Sequence, residues 1–495
     1  MAQLTRNTSQ SFTENQGTFY KTSADGNWEL EILNPDPNKY NANEINQLIQ
    51  ELLMTPWTLQ INTLNPHGTA VAGIAAASEN GQGIVGVAPE AKLAGIRLFG
   101  NTDPLNYNRD PSGRQIADAL FDSRTQAGVS NHNQSIDIFN NSWGPEYMRR
   151  QPLASATLES GVTQGRKGLG NTYVFAGGNE GNYYGNVNYN SFASSRNAIA
   201  VGAIDKARNH APYSTTGAAI FISAPSDNGD PDNSQGITTT DILESQPPYA
   251  KDFGGTSAAA PLVSGVIALM LEANPTLITR DVQHILVNTA QKNDPSSKDK
   301  NGNSKWQQNG VGRWVSYEYG FWAIDAAAAV QAAVNWTPVG NEVSVTSGLQ
   351  NVIKMIPDDN ENGIKANTTL SENIIVEKAE VICDATHPDW SDFTIKLISP
   401  SGTESVLANP IPQTPNSSGS DEIVPDYSQW KFMPIRHRSE LSQGEWKLQV
   451  IDNNVNQLEG CGTIRSSIFT ESNSTNLPIL LLIQKTAIPV LDDMF

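Results

Sequence analysis

Gly255-Thr256-Ser257-Ala258-Ala259-Ala260-Pro261 opens a long apolar segment that runs on to Leu271. A helix over Ser257–Leu271 puts the serine at its mouth, where amide groups lack intrahelical acceptors and the macrodipole favours negative charge. The small neighbours leave the hydroxyl accessible, and Pro261 is tolerated because first-turn amides have no intrahelical partner to lose. Taken alone, a serine in this place is most often a helix N-cap.

Working outward, short β-rich runs alternate with longer helical ones from about Glu90 to Asn335, which is how a parallel α/β sheet covered by helices reads. Strands are expected at Lys92–Leu98, Ile136–Asn140, Thr172–Ala176, Ala198–Val201 and Ala219–Ile222. Helices are expected at Arg114–Gln126, Leu153–Gly165 and centrally at Ser257–Leu271. After Trp336 short alternating segments such as Phe393–Ile398 and Trp446–Val450 sit between Pro, Gly, Ser and Asn clusters, as in a β-sandwich. A boundary near Pro338 follows, with Thr414–Ser420 expected as a mobile loop.

At 495 residues the chain exceeds what one core sustains, so two domains are expected. Its net charge of −19 argues against binding to nucleic acid or anionic membranes, and leaves divalent cations as plausible partners. Only two cysteines are present, Cys383 and Cys461, so no disulfide framework exists and one bridge is conceivable. The first residues hold no apolar run suited to a signal peptide, and no apolar stretch reads as long enough to span a bilayer.

A hydroxyl becomes a nucleophile when an adjacent base takes its proton. Of six histidines, His67 stands out, opening His67-Gly68-Thr69-Ala70-Val71-Ala72-Gly73-Ile74, a helix of small residues with the imidazole at its start. His132, His210, His284, His387 and His437 lie in polar or loop-like settings. Phe175-Ala176-Gly177-Gly178-Asn179-Glu180-Gly181 reads as a strand entering a glycine-rich turn, where the Asn179 amide could donate to a developing oxyanion or serve as an ordinary turn residue.

In the order His67, Asn179, Ser257 these three motifs resemble the subtilisin family of serine peptidases. The convertase (kexin and furin) branch is suggested by Ser142-Trp143-Gly144-Pro145-Glu146, Leu271-Glu272-Ala273-Asn274-Pro275, Arg280-Asp281-Val282-Gln283-His284 and Asn309-Gly310-Val311-Gly312-Arg313. Ile398-Ser399-Pro400-Ser401-Gly402-Thr403, Trp430-Lys431-Phe432-Met433 and Gly444-Glu445-Trp446-Lys447-Leu448 resemble the convertase P domain. The likeness spans about residues 65–470 and implies a subtilisin-like α/β domain at 1–337, a jelly-roll or sandwich P domain at 338–475 and a tail at 476–495. Residues 1–60 are atypical of that family.

The resemblance implies a serine endopeptidase with Ser257 as nucleophile, His67 as base, Asn179 in the oxyanion hole and Ser142, Trp143 and Gly144 pairing with an extended substrate. Its catalytic aspartate has no clean copy; the nearest phrase, Ser23-Ala24-Asp25-Gly26, makes Asp25 the candidate, although an overlay on the glycine puts Ala24 at that place. The N-terminal residues do not read as the long propeptide usual in the family, so either a trimmed or incomplete chain or a drift away from peptidase function is expected. Where relatives that cut after paired basic residues carry acidic groups, this chain has Tyr147, Gly185 and Asn190, so strict dibasic specificity is not expected. A structural calcium ion is implied at Ala77–Ile84, with Asp36, the carbonyls of Ala77, Gln82 and Ile84, and the Asn80 side chain as ligands; an ordinary polar loop is the other reading. The partners implied are protein or peptide substrates, with no nucleic acid, no membrane insertion and a monomeric state. The family suggests a secreted or extracytoplasmic setting. The alternative function is a catalytically impaired homologue that binds peptides or serves a structural role.

Overall fold

The computed structural model describes residues 66–96, 98–99, 111–121, 136–145, 151–181, 185–230, 232, 235–242, 248–347, 356–357, 360–383, 390–411, 427 and 430–453, and the backbone of strands at 19–22, 28–31 and 480–485. Two of these N-terminal strands, β1 (Phe19–Thr22) and β2 (Trp28–Glu31), pair antiparallel. Asp25 lies between them and outside the described residues, as do Asp36, Tyr147, Cys461 and the loop Thr414–Ser420.

Helix α1 (His67–Ala76) is followed by α2 (Gly113–Leu120), β3 (Ile138–Asn141), α3 (Pro152–Gln164), β4 (Thr172–Ala176), β5 (Ala198–Ile204) and β6 (Ile220–Pro225). Strands β3, β4, β5 and β6 pair in that order and all in parallel. Successive side chains of a strand face opposite sides. Phe139 stacks on Tyr173 at 5.0 Å, and the Tyr173 hydroxyl donates to the Leu120 carbonyl of α2. Asn140, on the other face, accepts a bond from Ser264. Ser264 belongs to α4 (Thr256–Ala273), which follows the hairpin of β7 (Ile237–Thr240) and β8 (Tyr249–Phe253) and packs along β3 to β6. The sheet is therefore covered on both faces, and β4 and β5 are buried at every position.

Two expectations change. Lys92–Leu98 contributes only a bridge residue, Ala94, among its described positions, and its side chains there are half-buried or exposed where a strand of a covered sheet would be buried. α2 stops at Leu120, where Phe121 turns to an extended backbone at φ −170° and ψ 109°. α4 also corrects the statement on apolar length. It is long and apolar enough to cross a membrane, but 67% of its window is buried in this domain, which marks it as a core helix.

After α5 (Thr279–Thr289), the pair β9 (Gln307–Gln308) and β10 (Trp314–Val315), and α6 (Ala326–Val334), the chain enters an antiparallel region. Its strands are β11 (Val343–Thr346), β12 (Ile364–Leu370), β13 (Ala379–Cys383), β14 (Phe393–Ile398), β15 (Glu404–Ala408), β16 (Trp430–Phe432), β17 (Gly444–Asp452) and β18 (Leu480–Lys485). They form two four-stranded sheets, β11-β18-β13-β16 and β12-β17-β14-β15. β18 falls in the segment expected as a tail, yet its backbone pairs with both β11 and β13. Along β12 and β14 buried positions alternate with more open ones, which places one face on the core.

The connector is pinned. Asp281 of α5 is fully buried, and its Oδ1 accepts the Trp336 indole N–H at 2.9 Å and the Val339 N–H at 2.8 Å. The two cores also exchange residues: Tyr189 joins the second, and Met433 and Ile435 join the first.

Candidate active site

The candidate residues lie at the carboxyl ends of the parallel strands, Ser142 after β3 and Asn179 after β4, where connections leave the sheet and ligands of open α/β folds gather. Gly255, at φ 74° and ψ 171°, ends the turn before α4, in a backbone region that favours glycine. Thr256 and Ser257 are then the first two helical residues. The Ser257 hydroxyl donates at 3.3 Å to the carbonyl of Ser142, and the Ser142 hydroxyl donates at 2.9 Å to the carbonyl of Ser257. Asn140 donates in turn to Ser142 Oγ at 3.1 Å, tying the end of β3 to the start of α4.

Asn179 follows β4 at the turn. Its Oδ1 accepts both the Thr256 N–H and the Thr256 hydroxyl, each at 2.9 Å, while Thr256 Oγ1 accepts the Gly178 N–H at 3.1 Å. With its oxygen fixed, the Asn179 amide presents Nδ2 as its donor beside Gly255. The Ser257 N–H, in the first helical turn, has no backbone acceptor among the described residues. Two donors thus flank the serine from different elements.

His67 is the first residue of α1, which packs against α4. Its ring meets Phe253, the last residue of β8, edge-on at 5.4 Å, so it lies against the turn that leads to Ser257. Burial lowers the imidazole below its ordinary 6.5, which keeps it neutral and able to accept a proton at neutral pH.

Trp143 is held edge-on by Phe99, Phe175 and Phe192 at 5.7, 5.8 and 5.3 Å, which fixes the stretch Ser142–Gly144, half-buried at Ser142 and Trp143 and exposed at Gly144. Opposite Gly144 stands Asn190, so close that a Cβ at Gly144 would strike its Nδ2. Asn190 Oδ1 accepts the amides of Phe192 and Ala193 at 3.0 and 3.1 Å. In the Ala77–Ile84 loop, Asn80 Oδ1 accepts the Gln82 N–H at 3.0 Å and the Ala77 carbonyl accepts the Gly86 N–H at 2.8 Å. The carbonyls of Gln82 and Ile84 accept no backbone amide among the described residues. No cluster of three His, Cys, Asp or Glu side chains suited to a metal occurs among the described residues.

Sequence reasoning missed Thr256, which bridges the Gly178 amide and Asn179, although it stands within the serine motif. It also missed Ser226 and Asp227, whose turn carries no distinguishing pattern. Two other histidines keep polar or turn settings but are buried: His284 sits within α5 beside Glu377 at 3.2 Å, and His437 lies in a turn, fully buried against Trp446 at 5.2 Å.

This fold and this serine-centred site define a subtilase: the chain belongs to the subtilase family, whose model matches residues 55–312. Residues 376–464 match the proprotein convertase P-domain, so the antiparallel domain has its own family. The chain is 29% identical over 442 residues to human "Proprotein convertase subtilisin/kexin type 7", covering 87% of this chain and 50% of that protein. It is 32% identical over 411 residues to a "Dibasic-processing endoprotease" of Schizosaccharomyces pombe, covering 80% and 53%. It thus spans about half the length of the curated relatives it matches. The serine protease of Aeromonas sobria in complex with its chaperone superposes with a TM-score of 0.67 at 21% identity, over 86% of this chain and 82% of that one, and shares the fold.

Proposed function

We propose that the chain is a serine endopeptidase that cleaves proteins through an acyl-enzyme on Ser257. The observation that carries this reading is the pair of donors at the serine: Asn179 Nδ2, oriented by the Thr256 bonds to its oxygen, and the Ser257 N–H. Donors aimed where charge develops are worth roughly 3 kcal/mol each when preorganised. In the proposed reaction the Ser257 hydroxyl leaves the Ser142 carbonyl and passes its proton to His67. Oγ attacks the scissile carbonyl, and the oxyanion is held by the two donors. His67 then protonates the leaving amine, and water hydrolyses the ester by the reverse route. The stretch Ser142–Gly144, which follows β3 and opens to solvent at Gly144, offers an edge on which an extended substrate would add as a strand. Asp25 remains the proposed orienting carboxylate for His67.

Processing of proproteins, the task stated in the names of several relatives, fits this architecture and a place on the secretory route or outside the cytoplasm. Calcium is the cation proposed for the Ala77–Ile84 loop. The lone pairs left on Ala77 O and Asn80 Oδ1, together with the Gln82 and Ile84 carbonyls, suit a hard cation, and Asp36 would supply a carboxylate. Bound there, the ion would brace the loop after α1, the helix that begins at His67.

A fluorophosphonate probe tests the catalytic reading. The parent is expected to become labelled on Ser257 and Ser257→Ala to remain unlabelled. A parent that stays unlabelled while folded would assign the groove to peptide binding without turnover.

A further inference from the structure

The Gly254-Gly255 turn that delivers Ser257 is gripped by the residues that follow β6. Ser226 donates through its hydroxyl to the Gly255 carbonyl at 2.7 Å. Asp227 Oδ1 accepts the Gly255 N–H at 2.9 Å, and Asp227 Oδ2 accepts the Gly229 N–H at 3.0 Å. The Tyr213 hydroxyl donates to Asp227 Oδ1 and also reaches Ser226 Oγ at 3.0 Å. Both polar groups of the Gly255 residue are therefore held from one side, while Asn179 holds the Thr256 amide from the other. The packing leaves no slack, since a Cβ at Gly254 would strike the Asp227 carboxylate.

We infer that Asp227 is a positioning residue for Ser257: its carboxylate, steadied by Tyr213, fixes the strained Gly255 turn and with it the direction of the Ser257 side chain. This rests on the reading of Ser257 as the nucleophile. The Gly255 conformation lies outside the regions open to most residues, and such a backbone persists only where its surroundings over-determine it. Burial pushes the Asp227 carboxyl up, but the Tyr213 hydroxyl and the Gly255 and Gly229 amides outweigh it and keep the group ionised well into acid. Charge-assisted bonds to backbone amides are the stronger kind, so the anchor persists across the pH range in which a neutral His67 can act.

The test uses the full chain, with Asp227→Ala and Asp227→Asn. Three quantities are read: the fluorophosphonate inactivation constant separated from probe affinity, the melting temperature, and hydrogen exchange in the peptide spanning residues 249–257. A small misplacement of a reacting group costs about 100-fold in rate, so Asp227→Ala should lose about that much in the inactivation constant with probe affinity nearly unchanged. Asn keeps an acceptor for the Gly255 N–H, and Asp227→Asn should recover most of the loss. Exchange at the Gly255 amide should rise in the alanine variant alone, with the amides of α4 unaffected. Full-rate labelling of Asp227→Ala would overturn the inference, as would a loss accompanied by faster exchange throughout α4. If the parent itself is not labelled, the peptidase reading fails and exchange decides alone: a rise confined to Gly255 supports the anchor, and an unchanged Gly255 overturns it.

Discussion

In the first domain β4 and β5 are buried at every position, whereas in the second β12 and β14 alternate between core and more open positions. The difference follows from layers: helices cover both faces of the parallel sheet, while each antiparallel sheet turns one face inward. Between the domains neither rule applies. Trp430 donates its indole N–H to the Asn188 carbonyl at 3.0 Å, Asn188 donates to the Leu407 carbonyl at 2.7 Å, and Asn309 donates to the carbonyls of Arg436 and Arg438 at 2.9 and 2.8 Å. A buried ionic group joins them, with Glu377 bound through both oxygens by Arg280 at 3.0 and 2.7 Å. Hydrophobic pattern thus sorts residues into cores, and at the junction buried polar pairs join the few apolar side chains, Tyr189, Met433 and Ile435, that cross between them.

The largest effect expected separates the domains by chemistry. Ser257→Ala and His67→Ala should each cost about 10⁶-fold in kcat, and the double variant should be hardly worse, because groups acting as one unit are not additive. Trp430→Phe, which loses an interdomain hydrogen bond and part of a ring buried in the second core, should lower stability but leave kcat within a few-fold of the parent. Peptide hydrolysis by purified variants checks both. Multiplying losses in the double variant would break the assignment, and a large kcat loss in Trp430→Phe would mean that docking is part of the chemistry.

The next effect tests whether docking makes the two domains one folding unit. Glu377→Ala would take from the buried guanidinium of Arg280 the carboxylate that it binds through both oxygens, and breaking such a pair costs about 3–5 kcal/mol. Chemical denaturation should show one transition moved to lower denaturant, with Arg280→Ala and Glu377→Ala together costing less than their sum. A second, separate transition in Glu377→Ala would show that the domains are stable apart.

Acid provides a weaker perturbation of the same contrast. Burial pushes His210, inside the first domain, and His284, at the junction, down to about 4 from 6.5. The unfolded chain therefore binds more protons than the folded one between pH 6.5 and 4, and stability is lost as pH falls through that window. Beneath it, Glu377 adds to the loss: burial raises its carboxyl, but His284 and Arg280 outweigh that and hold it well below 4.5. Each histidine should contribute on the order of 3 kcal/mol. Melting curves of His210→Asn should lose part of the acid sensitivity while the transition stays single. A pH-independent melting temperature between 6.5 and 4 would contradict the buried neutral state of both.

What was legible in the sequence follows the same division. Thr172–Ala176 reads as a strand and is one, because an unbroken apolar run between turn residues has few other homes in an α/β domain. The candidate residues His67, Asn179 and Ser257 stand out in the sequence because each lies in a short motif whose neighbours are small, and the fold gives that smallness a reason. Gly255 needs a positive φ, and α1 and α4 pack closely through small residues such as Gly265, where a Cβ would crowd the Ala75 carbonyl and Val87. Asp227 and Glu377 were not legible, since a carboxylate in a turn looks alike whether it meets water, a backbone amide or a guanidinium from a distant element. β18 was hidden differently: Leu480–Lys485 has no alternation, and only partners far back in sequence, β11 and β13, make it a strand.

The smallest effect expected falls where the two domains meet the groove. Tyr189 packs in the second core and exchanges hydrogen bonds with the Asn409 backbone at 2.8 and 3.1 Å, while the next residue, Asn190, faces Gly144 across the proposed substrate edge. Asn190 Oδ1 is occupied in capping the amides of Phe192 and Ala193, so an aspartate can keep that cap and place its second oxygen where Nδ2 now meets Gly144. A guanidinium entering beside Asn190 meets at that residue an amide rather than a carboxylate, and a desolvated cation without a charged partner is costly. Asn190→Asp should therefore raise the rate on substrates with arginine before the scissile bond, relative to neutral ones, by about tenfold, or ~1.4 kcal/mol. Melting temperature should change little, because the cap is retained. A peptide library read on parent and variant checks this. A sharp arginine preference already present in the parent and indifferent to Asn190 would place the neutralising carboxylates elsewhere. The wall formed by Gly144 and Asn190 would then lie outside the specificity pocket, and anchoring by the second domain would steady the groove without setting what it selects.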